Sequence, residues 1–171
     1  MKEFYFVALK TIMLRPATSN DLDFLFGLYM HPLANRFLLY EVMDLKSFLP
    51  ILNELIEKKQ LFVYENDMTS VGMCKLVAQQ HRNAHIVYLG GVAIHPDLAG
   101  KGEGSKMLKE VIEYVKQKEF LRIELSVATI NEKAIHFYEK AGFIKEGVLK
   151  KFTYLKKEDR FLDEVFMAYL F

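Results

Sequence analysis

The run from Ile86 to Ser105 constrains the fold of this chain most. Ile86 to Ile94 is strongly strand-like and ends at His95-Pro96-Asp97, a turn-forming tripeptide. Gly100-Lys101-Gly102-Glu103-Gly104 follows, and then an amphipathic stretch to about Glu119. Met107, Leu108, Val111, Ile112 and Val115 recur at helical spacing on one side, with Lys106, Lys109, Glu110, Glu113 and Lys116 on the other. A strand that enters a glycine-rich loop and then a helix points backbone N–H groups and the positive end of a helix dipole at one place. Glycine lets the main chain approach a phosphate without an intervening Cβ. The spacing is neither Gly-x-Gly-x-x-Gly nor a loop closed by Gly-Lys-Ser/Thr, which disfavours dinucleotide and nucleotide-hydrolase fingerprints. By itself the loop reads equally well as a structural turn.

The flanking sequence extends the pattern into a mixed α/β fold. Ile12 to Pro16 reads as a strand, and Thr18-Ser19-Asn20-Asp21 offers N-caps for a helix to Met30. A second helix is predicted over Leu45 to Lys58, or from Pro50 if that residue starts it. Leu61 to Glu65 and Val71 to Ala78 read as a hairpin around residues 66–70. Arg122 to Ala128 alternates as a half-buried strand, and Asn131 to Lys140 reads as a helix stopped at Ala141-Gly142. Phe143 to Tyr154 and Glu164 to Leu170 read as closing strands joined through Lys156 to Arg160. Residues 1–10 read as an N-terminal arm or an extra strand, with Met13 as an alternative start, and residues 11–171 as one domain.

Asn131 and Tyr138 are seven residues apart, so a helix places an amide and a phenol on nearly the same face about two turns apart. With this second motif the chain resembles the GNAT (Gcn5-related N-acetyltransferase) family. The resemblance rests on Val-Ala-Ile-His-Pro-Asp (92–97), Gly-Lys-Gly-Glu-Gly (100–104), Asn131, Ala134, Tyr138 and Gly142-Phe143. It implies a mostly antiparallel central sheet of about six or seven strands, helices on both faces, and a splay at the acetyl-CoA site. It also implies an acetyl-CoA-dependent N-acetyltransferase that needs no metal and forms no acyl-enzyme.

Residue roles follow from the same resemblance. The backbone of Val92, Ala93 and Ile94 would hold the pantetheine arm and thioester carbonyl. N–H groups of Gly100, Lys101, Gly102, Glu103, Gly104 and Ser105 would cradle the pyrophosphate, and Asn131 would bind the pantetheine region. Tyr138 would protonate the departing thiolate, which suits a phenol whose ordinary pKa is about 10. The chain departs from the family at Ala99, where Gln or Arg is usual, and at Glu103, where an apolar residue is usual. Glu103 is expected to face solvent. Ser126 stands where some relatives carry a Glu, and Tyr88 and Leu89 stand nearest to where others do. Candidates for the base are therefore His85, Tyr88 through water, or Glu41, with an ordered water chain as an equal alternative.

Composition narrows the rest. A net charge of +1 gives no global field toward nucleic acid or membrane, and the lone Cys74, in an apolar run, reads as a core thiol in a reducing, cytoplasmic setting. His31, His81 and His95 show no metal-ligand spacing. The closing segment from Glu146 is similar to members that acetylate small amines or protein N-termini. A small amine such as an amino acid is the expected acceptor, with a protein N-acetyltransferase or a non-catalytic acyl-CoA sensor as alternatives. A homodimer is left open.

Overall fold

The computed structural model describes residues 12–171, so the expected arm at residues 1–10 lies outside the described residues. Among them, seven strands form one sheet in the order β1-β2-β3-β4-β5-β7-β6. The strands are β1 (Ile12–Pro16), β2 (Leu61–Asn66), β3 (Thr69–Ala78), β4 (Ile86–Ile94), β5 (Arg122–Ala128), β6 (Ile144–Leu155) and β7 (Arg160–Leu170). Every neighbouring pair is antiparallel except β4 and β5, which are parallel. The helices are α1 (Leu22–Met30), α2 (Pro32–Asn35), α3 (Leu45–Glu57), α4 (Glu103–Gln117) and α5 (Glu132–Lys140).

Side-chain alternation divides the core between the two faces. On β2, Phe62 and Tyr64 join a cluster with Met107, Leu108, Val111 and Val115 of α4 and Ile135 and Tyr138 of α5. Leu61 and Val63 point the other way, into a cluster with Leu25, Leu28 and Tyr29 of α1 and Phe48, Leu52 and Leu55 of α3. The first face therefore carries α4 and α5, and the second carries α1 and α3.

Local chemistry fixes several boundaries. Asp67 and Met68 both have positive φ, 52° and 62°, so the hairpin closes on a two-residue primed turn, tighter than the five-residue link expected from sequence. α3 starts at Leu45 because Asp44 accepts the Ser47 N–H at 2.8 Å, leaving Pro50 inside the helix rather than at its start. At the first strand, Arg15 donates to Asp21 at 2.7 and 2.8 Å and to Glu65 at 2.6 and 2.8 Å. Asp21 also accepts the Thr18 N–H at 2.8 Å, which locks the entry to α1.

Candidate active site

The sheet opens between β4 and β5. Their pairing covers only Ile86, Val87 and Tyr88 against Arg122, Ile123 and Glu124. Beyond Tyr88 the β5 edge of β4 has no strand partner. The other edge remains paired, with Ala93 opposite Met73 and Ile94 opposite Gly72. Ala93 and Ile94 are thus open on one edge only. Between Gly90 and Ala93 the register slips, so that Gly91 and Val92 together oppose Cys74. Gly91 takes φ +57°, which favours glycine, and a Cβ there would come a tight 3.2 Å from the Tyr29 hydroxyl. The bulge and the missing β5 contact turn β4 backbone groups toward the opening.

The opening is a cleft of about 200 Å³. Asn131, Ala134 and Tyr138 line it from α5, and Gly90 to Val92 from β4. The helical-face argument for Asn131 and Tyr138 thus describes neighbours in space. Asn131 itself sits at the N-cap of α5, where its Oδ1 accepts the Ala134 N–H at 3.3 Å. Its amide N–H groups remain available for a ligand. Tyr138 is 8% exposed and packs edge-on against Phe137 and Phe143. Its hydroxyl makes no hydrogen bond among the described residues, and burial raises its pKa above the ordinary phenol value.

At the start of α4, Gly100 and Gly102 take φ +77° and +84°, with open space where a Cβ would be. Gly102 is the N-cap of the helix, and the N–H groups after it lie in the first turn. Glu103 is buried rather than solvent-facing. Its carboxylate accepts from Tyr64 at 3.1 Å and Asn66 at 3.0 Å on β2, and pairs with Lys106 at 2.6 Å. Lys106, then the β2 donors, hold its pKa below the usual carboxylate range. The donors on β2, invisible from local sequence, make that orientation favourable. A larger cavity of about 610 Å³ between α4 and α5 begins at Ser105 and is lined by Lys109, Phe137, Lys140 and Tyr169.

The base candidates separate. Tyr88 lines the cleft, 2.9 Å from the Ser126 hydroxyl. His85 precedes β4 at the far end, its carbonyl bonded to the Leu121 N–H. Six residues of strand at about 3.3 Å each put it roughly 20 Å from Gly91. Glu41 is exposed beyond Leu39, the last rim residue of its loop, and does not line the cleft. Glu164, a lining residue the sequence did not single out, accepts from Ser126 and, at 2.6 Å, from Thr153. Lys75 and Arg36 also line the cleft. Cys74 is fully buried, its thiol pushed up to about 12 by burial. The described residues contain no cluster of metal-ligating side chains, and none of their helices is long and apolar enough to cross a membrane.

Known proteins share this fold. An uncharacterised N-acetyltransferase of Methanocaldococcus jannaschii is 27% identical over 83% of this chain, and the match spans 65% of that longer protein. The Escherichia coli K12 spermidine N(1)-acetyltransferase is 29% identical over 81% of this chain and 76% of its own length. The crystal structure of Vibrio cholerae spermidine N-acetyltransferase, in complex with CoA and spermine, superposes with a TM-score of 0.81 at 24% identity, covering 93% of this chain and 95% of that one. The sequence model of the acetyltransferase (GNAT) family matches residues 24–143, from α1 to just past α5 and across the whole β4–β5 opening. The chain belongs to the acetyltransferase (GNAT) family.

Proposed function

We propose that this chain transfers the acetyl group of acetyl-CoA to a primary amine, by direct attack and without an acyl-enzyme. The observation that carries the reading is the parting of β4 from β5 beside the Gly91–Val92 bulge, with Asn131 and Tyr138 on its rim. An extended pantetheine would take the free edge of Val92, Ala93 and Ile94, one of whose N–H groups would meet the developing oxyanion. The Asn131 amide would bind the same arm. N–H groups from Gly100 to Ser105 would face the pyrophosphate. Tyr138, kept protonated by burial, would donate to the leaving thiolate. Buried Cys74 supplies no nucleophile to this route.

The acceptor would approach from the face that carries α1 and α3. Lys75 points to that face, since its neighbours Cys74 and Leu76 belong to the opposite cluster. Lys75 and Arg36 set two cations against the single carboxylate of Glu164 around this cleft. That balance favours an amine with an anionic group, such as an amino acid, over a polyamine, although similar enzymes acetylate spermidine. The test is CoA release from acetyl-CoA over a panel of amino acids, their amides, spermidine, aminoglycosides and N-terminal peptides. Release with amino acids above their amides is expected. Tight acetyl-CoA binding without release for any amine would make the chain a sensor.

A further inference from the structure

Ser126, Glu164 and Tyr88 belong to three different strands, yet they form one hydrogen-bonded line. Ser126 lies between Leu125 and Val127, both in the α4–α5 cluster, so it points to the opposite face, where the acceptor would enter. Tyr88 lies between Val87 and Leu89, and Glu164 precedes Val165, with the same consequence. Polarity along the line is fixed. Ser126 spends its single proton on Glu164 Oε2, so the Tyr88 hydroxyl must be the donor to Ser126 Oγ. Thr153 donates to the other carboxylate oxygen at 2.6 Å. Glu164 forms no ion pair with any lysine, arginine or histidine among the described residues. Two hydroxyl-bearing side chains, Tyr88 and Ser126, therefore lead from the cleft to one half-buried carboxylate that has no cation of its own.

Resting on the acetyl-transfer reading above, we infer that Glu164 is the terminal acceptor for the proton an incoming ammonium must lose, reached through Tyr88 and Ser126. The ammonium proton passes to Tyr88 Oη as the Tyr88 proton passes to Ser126 Oγ and the Ser126 proton to Glu164 Oε2. The products are a neutral amine and a carboxylic acid, and no bond to carbon changes. The amine nitrogen then bonds the thioester carbon. As the C–S bond breaks, Tyr138 gives its proton to sulfur and the second nitrogen proton replaces it. Glu164 returns its proton to water. Tyr88 is close enough to Tyr138 to contribute, after burial and Cys74, to that phenol's raised pKa, so the accepting and donating ends of the cycle share one cleft.

The test compares the wild type with Glu164→Gln and Ser126→Ala, using CoA release with the same amine panel, a pH–rate profile, calorimetric acetyl-CoA affinity and a thermal midpoint. Titratable or charged groups lining the cleft with Glu164 are Lys75 on β3, Tyr88 on β4, Arg36 beyond α2 and Tyr138 on α5. Both variants are expected to lose about 100-fold in kcat/KM for the amine at neutral pH. The deficit should shrink as pH rises and the amine deprotonates in solution, with acetyl-CoA affinity within twofold of wild type. Ser126→Ala keeps the carboxylate and decides the matter should Glu164→Gln fail to fold. A folded variant with the wild-type rate, or one whose deficit is the same at every pH, overturns the relay while acetyl transfer stands. A wild type that binds acetyl-CoA but releases no CoA with any amine overturns acetyl transfer itself, and the relay with it.

Discussion

Glu103 and Lys106, one turn apart at the start of α4, close a 2.6 Å ion pair that ties the carboxylate back beside Tyr64 and Asn66 of β2. A negative charge thus stands at a helix N-terminus without a clash of purpose, since its partners are lateral. Lys106→Ala should leave that charge less compensated near the proposed pyrophosphate cradle. Acetyl-CoA affinity is expected to fall about three- to tenfold by calorimetry, while Glu103→Gln in the same background restores it.

Gly104 lies within α4, and a Cβ there would meet Phe137 and Ile94 at ordinary contact distances of 3.7 and 3.8 Å. Gly104→Ala should therefore fold normally. Gly104→Asp should also fold, but it adds a carboxylate in the first turn where phosphate oxygens are expected. A loss of at least 100-fold in acetyl-CoA affinity is expected, with the thermal midpoint nearly unchanged. Unaltered affinity would place the anion site elsewhere.

Tyr138→Phe keeps the ring contacts with Phe137 and Phe143 and deletes only the hydroxyl. Turnover should fall about 100-fold with acetyl-CoA affinity unchanged, and kcat and kcat/KM should fall together. Turnover within about twofold of wild type, with chemistry rate-limiting, would make Tyr138 a packing residue.

How far the site is legible in the sequence depends on the range of each argument. Asn131 and Tyr138 meet the same cleft because one helix relates them, and a helix has a fixed period. Gly100 and Gly102 adopt the positive φ that their residue type invites. Glu103 turns inward, against the solvent-facing expectation, because its orientation depends on Tyr64 and Asn66, some forty residues earlier in the chain. His85 and Tyr88 are close in sequence, but along a strand that distance separates the closed end from the open one. Glu164 is not legible locally because its place beside Ser126 requires the β5–β7 pairing, in which Ser126 faces Phe166 and Glu164 faces Ala128. A periodicity-two pattern gives the face of a strand and not its neighbour or register.

Lys75→Met should separate acceptors by charge. Burial lowers the Lys75 pKa, and its ammonium lies 5.9 Å from the Tyr40 ring centre with no carboxylate partner among the described residues. An acceptor carboxylate would supply that partner. KM for amino acids should rise roughly 10- to 100-fold in the variant, and KM for their amides should stay the same. Equal effects on both series would leave Lys75 a packing residue.

Acid should weaken the anchorage of the first strand. Arg15, first through its hydrogen bonds, holds the Asp21 pKa below its ordinary value. A depressed carboxylate pKa contributes stability that is full above the unfolded value, about 3.9, and is lost as pH falls through the lower folded value. The wild-type urea midpoint should therefore fall below about pH 4. Arg15→Met leaves Asp21 and Glu65 without their shared cation, and should cost about 2–3 kcal/mol at pH 7, tempered by the partial exposure of Arg15. The gap to wild type should narrow on acidification, as those carboxylates protonate.

The short β4–β5 pairing gives the sheet two leaves, joined by hydrogen bonds over only three residue pairs. A ligand that lies along the open edge replaces missing rungs and binds the native chain but not the unfolded one. At a hundred times its dissociation constant such a ligand adds about 2.7 kcal/mol to stability, a sizeable share of what a domain has. The lifetime of the protein against proteases would then follow the supply of acetyl-CoA, and a starved cell would clear this enzyme faster than a fed one.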